Sequence, residues 1–474
     1  MEEGKILLWM DEVRGIVGDA NIKTSAAHLT SYSYDAAAGF QSVPDAVVSP
    51  ASTEEIQKIM HVCQKYLVPI VPRGSGTNLA AGTVPSSGGI VLLFNRMNQI
   101  IDFDEDNLCI VVQPGVITLD LCNYVEERGV FYPPDPSSMK ISTIGGNVSE
   151  NSGGLRGLKY GVTKDYVMGL KAVLPNGDII KTGGKLAKDV AGYDLTSLLV
   201  GAEGTLGVIT EITLKLIPLP QTQKTGIAYF HSLEAAASTV SEIIAAKIIP
   251  ATLEFMDRGT MDAVELFMNL GLPTDAEAML LMEQDGAVET VNSDVAKMIE
   301  IARRNGASTT AIANSTEEAL RLKAGRRSAL SALARKRPTT ILEDATVPRS
   351  EIAEMVREIQ RIAERHQVEI YTFGHAGDGN LHPTCLTDIR NEEEMQRVDA
   401  AFAEIFEAAI ALGGTITGEH GVGEMKSPYL EWKIGPEGIM LMKSIKQAID
   451  PNNICNPGKL FAKATKPRVV LQYG

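Results

Sequence analysis

The chain has 474 residues, 44 % of them hydrophobic and 22 % charged, with a net charge of -15, the make-up of a globular protein with more than one core. That acidic balance excludes a polyanionic partner, so neither nucleic acid nor an anionic membrane surface is expected. No apolar run reaches the about 18 residues needed to span a bilayer, and the acidic start MEEGKILLWMDEV has too short an apolar core for a signal peptide, so a cytoplasmic protein without a transmembrane segment is expected.

The five cysteines, Cys63, Cys109, Cys122, Cys385 and Cys455, are scattered, with no CxxC, haem or ferredoxin spacing. They read as buried, inert thiols in a reducing compartment, and any haem or iron–sulfur centre would belong to another subunit. In chain order, residues 1–39 read as a helical lead-in that ends in polar loop. Ser52-Thr53-Glu54-Glu55 then fits a capping box, with Ile56, Met60, Cys63 and Leu67 at helical spacing behind it. A strand, VPIVPR, leads straight into Gly74-Ser75-Gly76-Thr77-Asn78-Leu79. A Walker loop is excluded because no lysine lies between Arg73 and Arg96, and a dinucleotide fingerprint because Leu79 stands where a third glycine is required. Glycine-permitted turns can still present their N–H groups as an anion nest.

Strands are expected at 90–94 and 109–113, and a helix at 119–128 closed by Gly129. The segment 132–154, YPPDPSSMKISTIGGNVSENSGG, reads as a long functional loop. Its small residues would let backbone approach a flat ring and a diphosphate, with Ser142, Thr143, Asn147 and Asn151 as neutral hydrogen-bonding groups. Strands follow at 170–174, 179–182 and 207–216, and Pro218 and Pro220 mark a boundary. Beyond it, helical patterns at 233–246, 294–304, 316–335, 350–366 and 392–412 alternate with short strands such as 278–283 and 309–313. The expected fold class is α+β in two domains.

Two glycine-laced segments carry the chemistry: FGHAGDGNLH (373–382) and TGEHGVG (417–423). Asp378-Gly379 between strand-like flanks predicts a two-residue hairpin turn that sets His375 opposite His382. Opposed side chains lie about 4.5–5.5 Å apart at Cβ, so two imidazoles would converge on a divalent metal with Glu419 as third ligand. In an extended run His420 would point away from Glu419 and stay free as a base. Zinc, iron and manganese all suit a His/His/Glu set.

Seven blocks, VPRGSGTNL, PPDPSS, STIGGNVSENSGG, KDVAGYDLTSLLVGAEGTLGVITEITLKLIPLP, GHAGDGNLHPT, TGEHGVG and NPGKLF, together resemble the FAD-linked oxidases of the vanillyl-alcohol oxidase type, within which glycolate oxidase FAD-binding subunits and D-lactate dehydrogenases are the nearest in pattern. The resemblance implies a two-subdomain FAD-binding domain of the p-cresol methylhydroxylase (PCMH) type at 40–219. It further implies an α+β substrate cap with an antiparallel sheet and the metal site at 220–425, and a C-terminal segment, 426–474, returning to the flavin. By that resemblance Pro72, Arg73, Gly74, Ser75, Gly76, Thr77, Asn78 and Leu79 cradle the diphosphate. Pro136, Ser137, Thr143, Gly145, Gly146, Asn151, Ser152, Gly154, Glu203, Gly204 and Ile209 would line the cofactor, and Asn456 would lie near the isoalloxazine.

Covalent members of the family carry a histidine in the first loop where Thr77 stands, so the FAD is expected to be non-covalent. Members often place an aromatic ahead of the cap arginine pair, where this chain reads Leu322-Lys323-Ala324-Gly325-Arg326-Arg327. Relatives acting on larger dicarboxylates carry a lysine shortly before the Val-Pro pair, where this chain has Leu342-Glu343-Asp344, which points to a small monocarboxylate. The implied reaction is metal-assisted oxidation of a D-2-hydroxy acid, D-lactate or glycolate, with zinc as the metal. His420 would act as base, Arg326 as carboxylate clamp, and flavin N5 would accept the hydride. Electrons would pass to a partner: an iron–sulfur subunit, an electron-transferring flavoprotein, a cytochrome or a quinone, with the tail 466–474 a possible docking strand. The alternatives are a non-catalytic FAD-holding subunit of a larger complex and a non-redox, ether-forming use of the same fold; neither requires the histidine–glutamate set.

Overall fold

The computed structural model describes residues 3–461; the tail 466–474 lies outside them. Ser52 caps the helix Thr53–Tyr66 by accepting the Glu55 N–H at 3.2 Å. Glu55 reaches back one residue further than a capping box requires, to the Ala51 N–H at 2.7 Å. This helix buries Ile56, Ile59, Met60 and Cys63 against a four-stranded sheet of Ile22–Lys23, Ala46–Val48, Ile90–Leu93 and Ile70–Arg73, in that order. The lead-in is part of the same core: the helix Glu3–Val17 packs there through Trp9 and Val13, both fully buried. The sheet's central pairs, Ala46–Val48 with Ile90–Leu93 and Ile90–Leu93 with Ile70–Arg73, are parallel.

A second sheet is antiparallel, with the order Ile100–Asp104, Cys109–Val112, Val208–Lys215, Val167–Val173 and Ile179–Gly183. Against it lies a helix that the glycine-rich sequence conceals. Ile144–Glu150 (IGGNVSE) is helical despite two adjacent glycines of low helix propensity. Thr143 caps it, its Oγ1 accepting the Gly146 N–H at 3.2 Å, while Ile144 and Val148 bury into the sheet's core. The expected long loop is therefore only partly loop, because tertiary burial overrides propensity.

The third sheet lies wholly within residues 222–387 and is antiparallel. Its path runs Ala307–Ile312, Thr222–Phe230, Ala278–Gly286, Thr252–Asp257, Glu369–His375, Asn380–Thr387 and Thr339–Leu342, with Ala345–Thr346 also pairing Asn380–Thr387. Alternate side chains feed two cores, as strand geometry requires. Leu280 and Met282 face the helices Leu233–Ala245, Val288–Arg304, Ile352–His366 and Glu392–Ala411, and Met279 and Leu281 face Arg258–Met268 and Ala329–Leu333. The helix expected across 316–335 is two, Thr316–Arg327 and Ala329–Leu333, meeting at Ser328.

The C-terminal stretch returns to the first sheet, where the Asn456 N–H donates to the Ile70 carbonyl at 2.8 Å. All five cysteines are buried free thiols, and burial pushes Cys63 and Cys122 up to about 12, which keeps them unreactive. Among the described residues no helix is long and apolar enough to cross a membrane.

Candidate functional site

The hairpin that carries the two histidines has a longer turn than its Asp-Gly pair suggests. Phe373 pairs with His382 and His375 with Asn380, so residues 376–379 form a four-residue loop. Within that loop only Gly379 takes a positive φ, +86°, whereas a two-residue type I′ turn needs two such residues. The Gly377 N–H is instead held by the Leu253 carbonyl of the neighbouring strand at 3.0 Å. His375 and His382 are therefore diagonal rather than opposed. They still share a face, with ring centroids 5.0 Å apart.

The second expectation that changes is the orientation of Glu419 and His420. Residues 417–420 are not a strand but wrap one oxygen of a buried carboxylate. Asp344 Oδ2 accepts the N–H groups of Gly418, Glu419 and His420 at 3.1, 3.1 and 3.0 Å, and the Thr417 hydroxyl at 3.1 Å. Both side chains consequently turn into one cavity, and the His420 ring stacks on His382 at 5.1 Å between centroids.

The result is a focus on one atom. Glu419 Oε1 lies 3.0 Å from His375 Nε2, 3.4 Å from His382 Nε2 and 3.8 Å from His420 Nε2. Carboxylates stand behind each ring. Glu254 Oε1 meets His375 Nδ1 at 2.7 Å, while Asp344 Oδ1 lies 3.0 Å from His382 Nδ1 and 3.1 Å from His420 Nδ1. Asp344, His382, Glu419 and His420 also form a group of mutually close ligand atoms, all within 4.8 Å of one another. Asp344 is nonetheless an anchor, because its oxygens are spent on imidazoles, N–H groups and a hydroxyl. The inward-facing Nε2 atoms and Glu419 are the set that fits a divalent cation, with Glu254 and Asp344 fixing the tautomers from behind.

Charge at the site follows from burial and these partners. Burial opposes ionisation of Asp344 and Glu419, but His420 and Lys426 for the former, and His375 for the latter, hold both carboxyls well below the usual range. Burial likewise opposes protonation of His375, yet Glu254 and Glu419 outweigh it and hold its pKa well above the ordinary value. Burial pushes His420 down to about 4, so its ring is neutral near pH 7. Neither Glu254 nor Asp344 stands out in the sequence; an acidic residue inside a strand or just beyond one was the available signal.

Arg326 is buried beside this group. Its Nε lies 2.6 Å from Glu254 Oε2, its guanidinium sits 4.7 Å from the Phe373 ring centroid, and its Nη2 has no hydrogen-bond partner. Arg326, Phe373, His382, Glu419 and His420 line one end of a cavity of about 710 Å³, within the range of small-molecule and cofactor sites. His375 sits behind His382 and does not line it.

The rest of that cavity is walled by Pro72 to Leu79, all eight residues, together with Pro136, Ser137, Thr143, Gly145, Gly146, Ser152, Glu203, Gly204 and Ile209. A Cβ on Gly74 would overlap Thr143 Oγ1, and one on Gly76, at φ +69°, would overlap the Arg73 guanidinium. Only glycine closes the loop onto the helix cap. Three residues expected at the cofactor lie elsewhere. Asn151 is the left-handed C-cap of Ile144–Glu150 and faces a neighbouring cavity, its Oδ1 accepting the Lys164 N–H at 2.9 Å. Gly154 packs on the Asp135 backbone. Asn456 is buried between the walls, its Nδ2 donating to the carbonyls of Gly82 at 2.9 Å and Glu203 at 2.7 Å while Oδ1 is left without a partner. Glu203 spends both carboxylate oxygens on the N–H groups of Val422 and Gly423, each at 2.7 Å, tying the segment that carries Glu419 to this wall. A long cavity with a backbone-lined end for a diphosphate and a polar reactive end fits FAD.

A model of FAD-binding domains matches residues 44–183, and a model described as FAD linked oxidases, C-terminal domain, matches residues 219–460. Glycolate oxidase subunit GlcD of Bacillus subtilis is 63 % identical over 96 % of this chain and 97 % of its own length. The subunit of the same name from Escherichia coli K12 is 36 % identical over 90 % of this chain and 86 % of its own. D-lactate dehydrogenase of Anaerostipes hadrus is 36 % identical over 89 % and 90 %. Among solved structures, p-cresol methylhydroxylase with substrate bound superposes at a TM-score of 0.81 and 18 % identity over 98 % of both chains. Alkyldihydroxyacetonephosphate synthase superposes at 0.74 and 19 % over 95 % of this chain and 85 % of its own. Two matching models and relatives alike from end to end agree with the seven motif blocks, the solved structures share the fold, and the chain belongs to the FAD-linked oxidases, a family of flavoprotein oxidoreductases.

Proposed function

We propose that the chain oxidises a small D-2-hydroxy acid, of the glycolate or D-lactate kind, to the 2-oxo acid and passes the electrons to a separate acceptor. The observation that carries this reading is the convergence of three imidazole Nε2 atoms on the Glu419 carboxylate, which with His382, His420 and a buried arginine with an unpartnered Nη2 lines one end of the FAD-sized cavity while His375 stands behind. The names of the relatives, glycolate oxidase subunit and D-lactate dehydrogenase, support the substrate class, and the word subunit supports a partner. When bound, FAD supplies a hydride acceptor, and a divalent cation, zinc or otherwise iron or manganese, supplies Lewis acidity toward a hydroxyl oxygen.

The residues of this chain do the rest. His375, His382 and Glu419 would hold the cation, while Glu254 and Asp344 keep the Nδ1 atoms occupied so that Nε2 lone pairs face inward. Arg326 Nη2 offers a donor to the substrate carboxylate, and Glu254 holds the guanidinium in place. His420, neutral and backed by Asp344, accepts the hydroxyl proton at Nε2, and the carboxylate behind it stabilises the imidazolium that forms. Leu342 and Phe373 give the cavity apolar surface, and Arg327, the other arginine that lines it, is already paired with Asp135, which suits a monocarboxylate.

The test is anaerobic addition of glycolate, D-lactate and L-lactate to the flavin-loaded protein, with and without chelator. Bleaching of the visible flavin band by a D-hydroxy acid or glycolate, abolished by chelation and restored by metal, is the expected result. An unbleached flavin with every small 2-hydroxy acid overturns the reading and leaves the flavin-holding scaffold in its place.

A further inference from the structure

A second cavity, also of about 710 Å³, shares Glu150, Glu203 and Glu419 with the first. It reaches the surface, since Lys164, Asp165 and Ser197 line it and are exposed. Lys446, the other cation on its wall, is spent on Asp450 and on the carbonyls of Thr205 and Cys455. Two of the three shared carboxylates are also engaged. Glu419 belongs to the imidazole set, and Glu203 holds the N–H groups of Val422 and Gly423. Glu150 is different: its Oε2 is buried with no hydrogen-bond partner, a costly state that calls for a reason.

The two oxygens of Glu150 face different spaces. Gly82 lines the cofactor cavity and not the second, and a Cβ built on it would press on Oε1. Gly421 lines the second cavity and not the first, and a Cβ built on it would overlap Oε2. The carboxyl therefore lies in the wall itself, wedged between two glycines, with one oxygen toward each side. Gly421 directly follows His420, so this crossing stands at the reactive end of the cofactor cavity.

We infer that Glu150 is the exit for protons from the reactive end, Oε1 taking a proton from the cofactor cavity while Oε2 gives one to water in the second. Two protons leave in each turnover of the proposed reaction. One is the hydroxyl proton that His420 accepts, and the other comes from flavin N5 when the separate acceptor removes two electrons. A protonated carboxyl passes each of them on without net change. An O–H bond forms at Oε1, the O–H bond at Oε2 breaks, and rotation of the group restores the starting state. Burial and the carboxylates of Glu203 and Asp35 hold the Glu150 carboxyl well above its usual range, against the opposing charge of Lys426, which keeps the acid form available for the relay.

The inference rests on the flavin reading of the first cavity but not on which hydroxy acid reduces it. The flavin-loaded protein is therefore photoreduced without oxygen or substrate and mixed rapidly with ferricyanide, which takes electrons and no protons, in the presence of a pH-indicator dye. In wild type the proton should reach solution in step with the return of the visible flavin band. In flavin-loaded Glu150→Gln its release should slow about tenfold or more, and in Glu150→Ala added formate, a small acid, should restore it. Release at the wild-type rate in Glu150→Gln overturns the inference, as does a Glu150→Ala defect that formate leaves untouched. Should neither variant hold flavin, infrared difference spectra of the wild type decide. The C=O band of a protonated carboxyl, shifted in D2O, should change between the reduced and the reoxidised protein, and a spectrum without that change overturns the inference. Bleaching by no hydroxy acid together with proton release that depends on Glu150 would remove the proposed substrate and leave the proton exit standing.

Discussion

Asp344 holds the His382 Nδ1, three backbone N–H groups and one hydroxyl and lies 3.1 Å from the His420 Nδ1, and each contact fixes something different. The imidazoles are held with Nε2 inward; the N–H groups bend 417–420 so that Glu419 and His420 enter the cavity together. Asn at this position would present an NH2 where an acceptor is needed. Asp344→Asn is expected to weaken metal binding by about 10–100-fold, measured by chelator competition, while the flavin spectrum is retained; wild-type metal affinity would show that Asp344 positions nothing. A second buried acid gives a pH signature. Burial pushes the Asp257 carboxyl up to about 6 against hydrogen bonds from Thr260 and Thr372. A folded pKa above the unfolded value of about 3.9 means that its contribution to stability is fully present below about pH 4 and is lost as pH rises through about 6. Between pH 4 and 7 the wild type should therefore lose stability relative to Asp257→Asn, read by urea unfolding of both proteins at each pH. A difference independent of pH would contradict the shifted carboxyl.

At the scale of elements, the hairpin 369–387 shows how a turn places chemistry. A one-residue slip would send both histidines to the other face of the sheet, and the four-residue loop avoids it by lengthening the turn by two. Gly379 makes that loop possible, at φ +86° where an added Cβ would overlap the Val347 carbonyl oxygen. Gly379→Ala combines the left-handed penalty of about 1–2 kcal/mol with a direct overlap, so a loss of at least about 1 kcal/mol in urea unfolding is expected, together with reduced metal occupancy. Full retention of both would mean that the loop has another conformation within reach. The helix Ile144–Glu150 makes the complementary point: its Thr143 cap and two buried apolar residues outweigh two glycines.

Across the whole molecule, the cofactor cavity lies between the third sheet's face and the two earlier sheets, so its geometry depends on what holds them together. Asp135, buried on the cofactor side, pairs with Arg327 Nη2 of the helix Thr316–Arg327 at 2.6 Å and accepts the Arg156 N–H at 3.1 Å. Lys159 bridges similarly to Asp285 of the strand Ala278–Gly286 at 2.5 Å. Asp135→Asn leaves Arg327 without its counter-charge and should destabilise the protein by about 1–3 kcal/mol. A lower Tm and faster flavin release are expected; wild-type flavin retention would mean that the two faces are held by packing alone.

Much of the architecture is legible in the residues because it is local. The Ser52 cap and the glycine loop 74–79 each rest on backbone demands that neighbouring residues meet, and His375, His382, Glu419 and His420 are visible as a set because glycines interrupt them at spacings no solvated helix would use. Which atoms of that set face each other is not local. The diagonal register of the histidines follows from a hydrogen bond to Leu253 on another strand. The inward turn of His420 follows from Asp344, more than seventy residues away, and the position of Arg326 from Glu254 on a strand separated from it by two helices. Those contacts are chosen by packing three sheets against one another, and burial in that packing makes a carboxylate an anchor for imidazoles rather than a solvated charge.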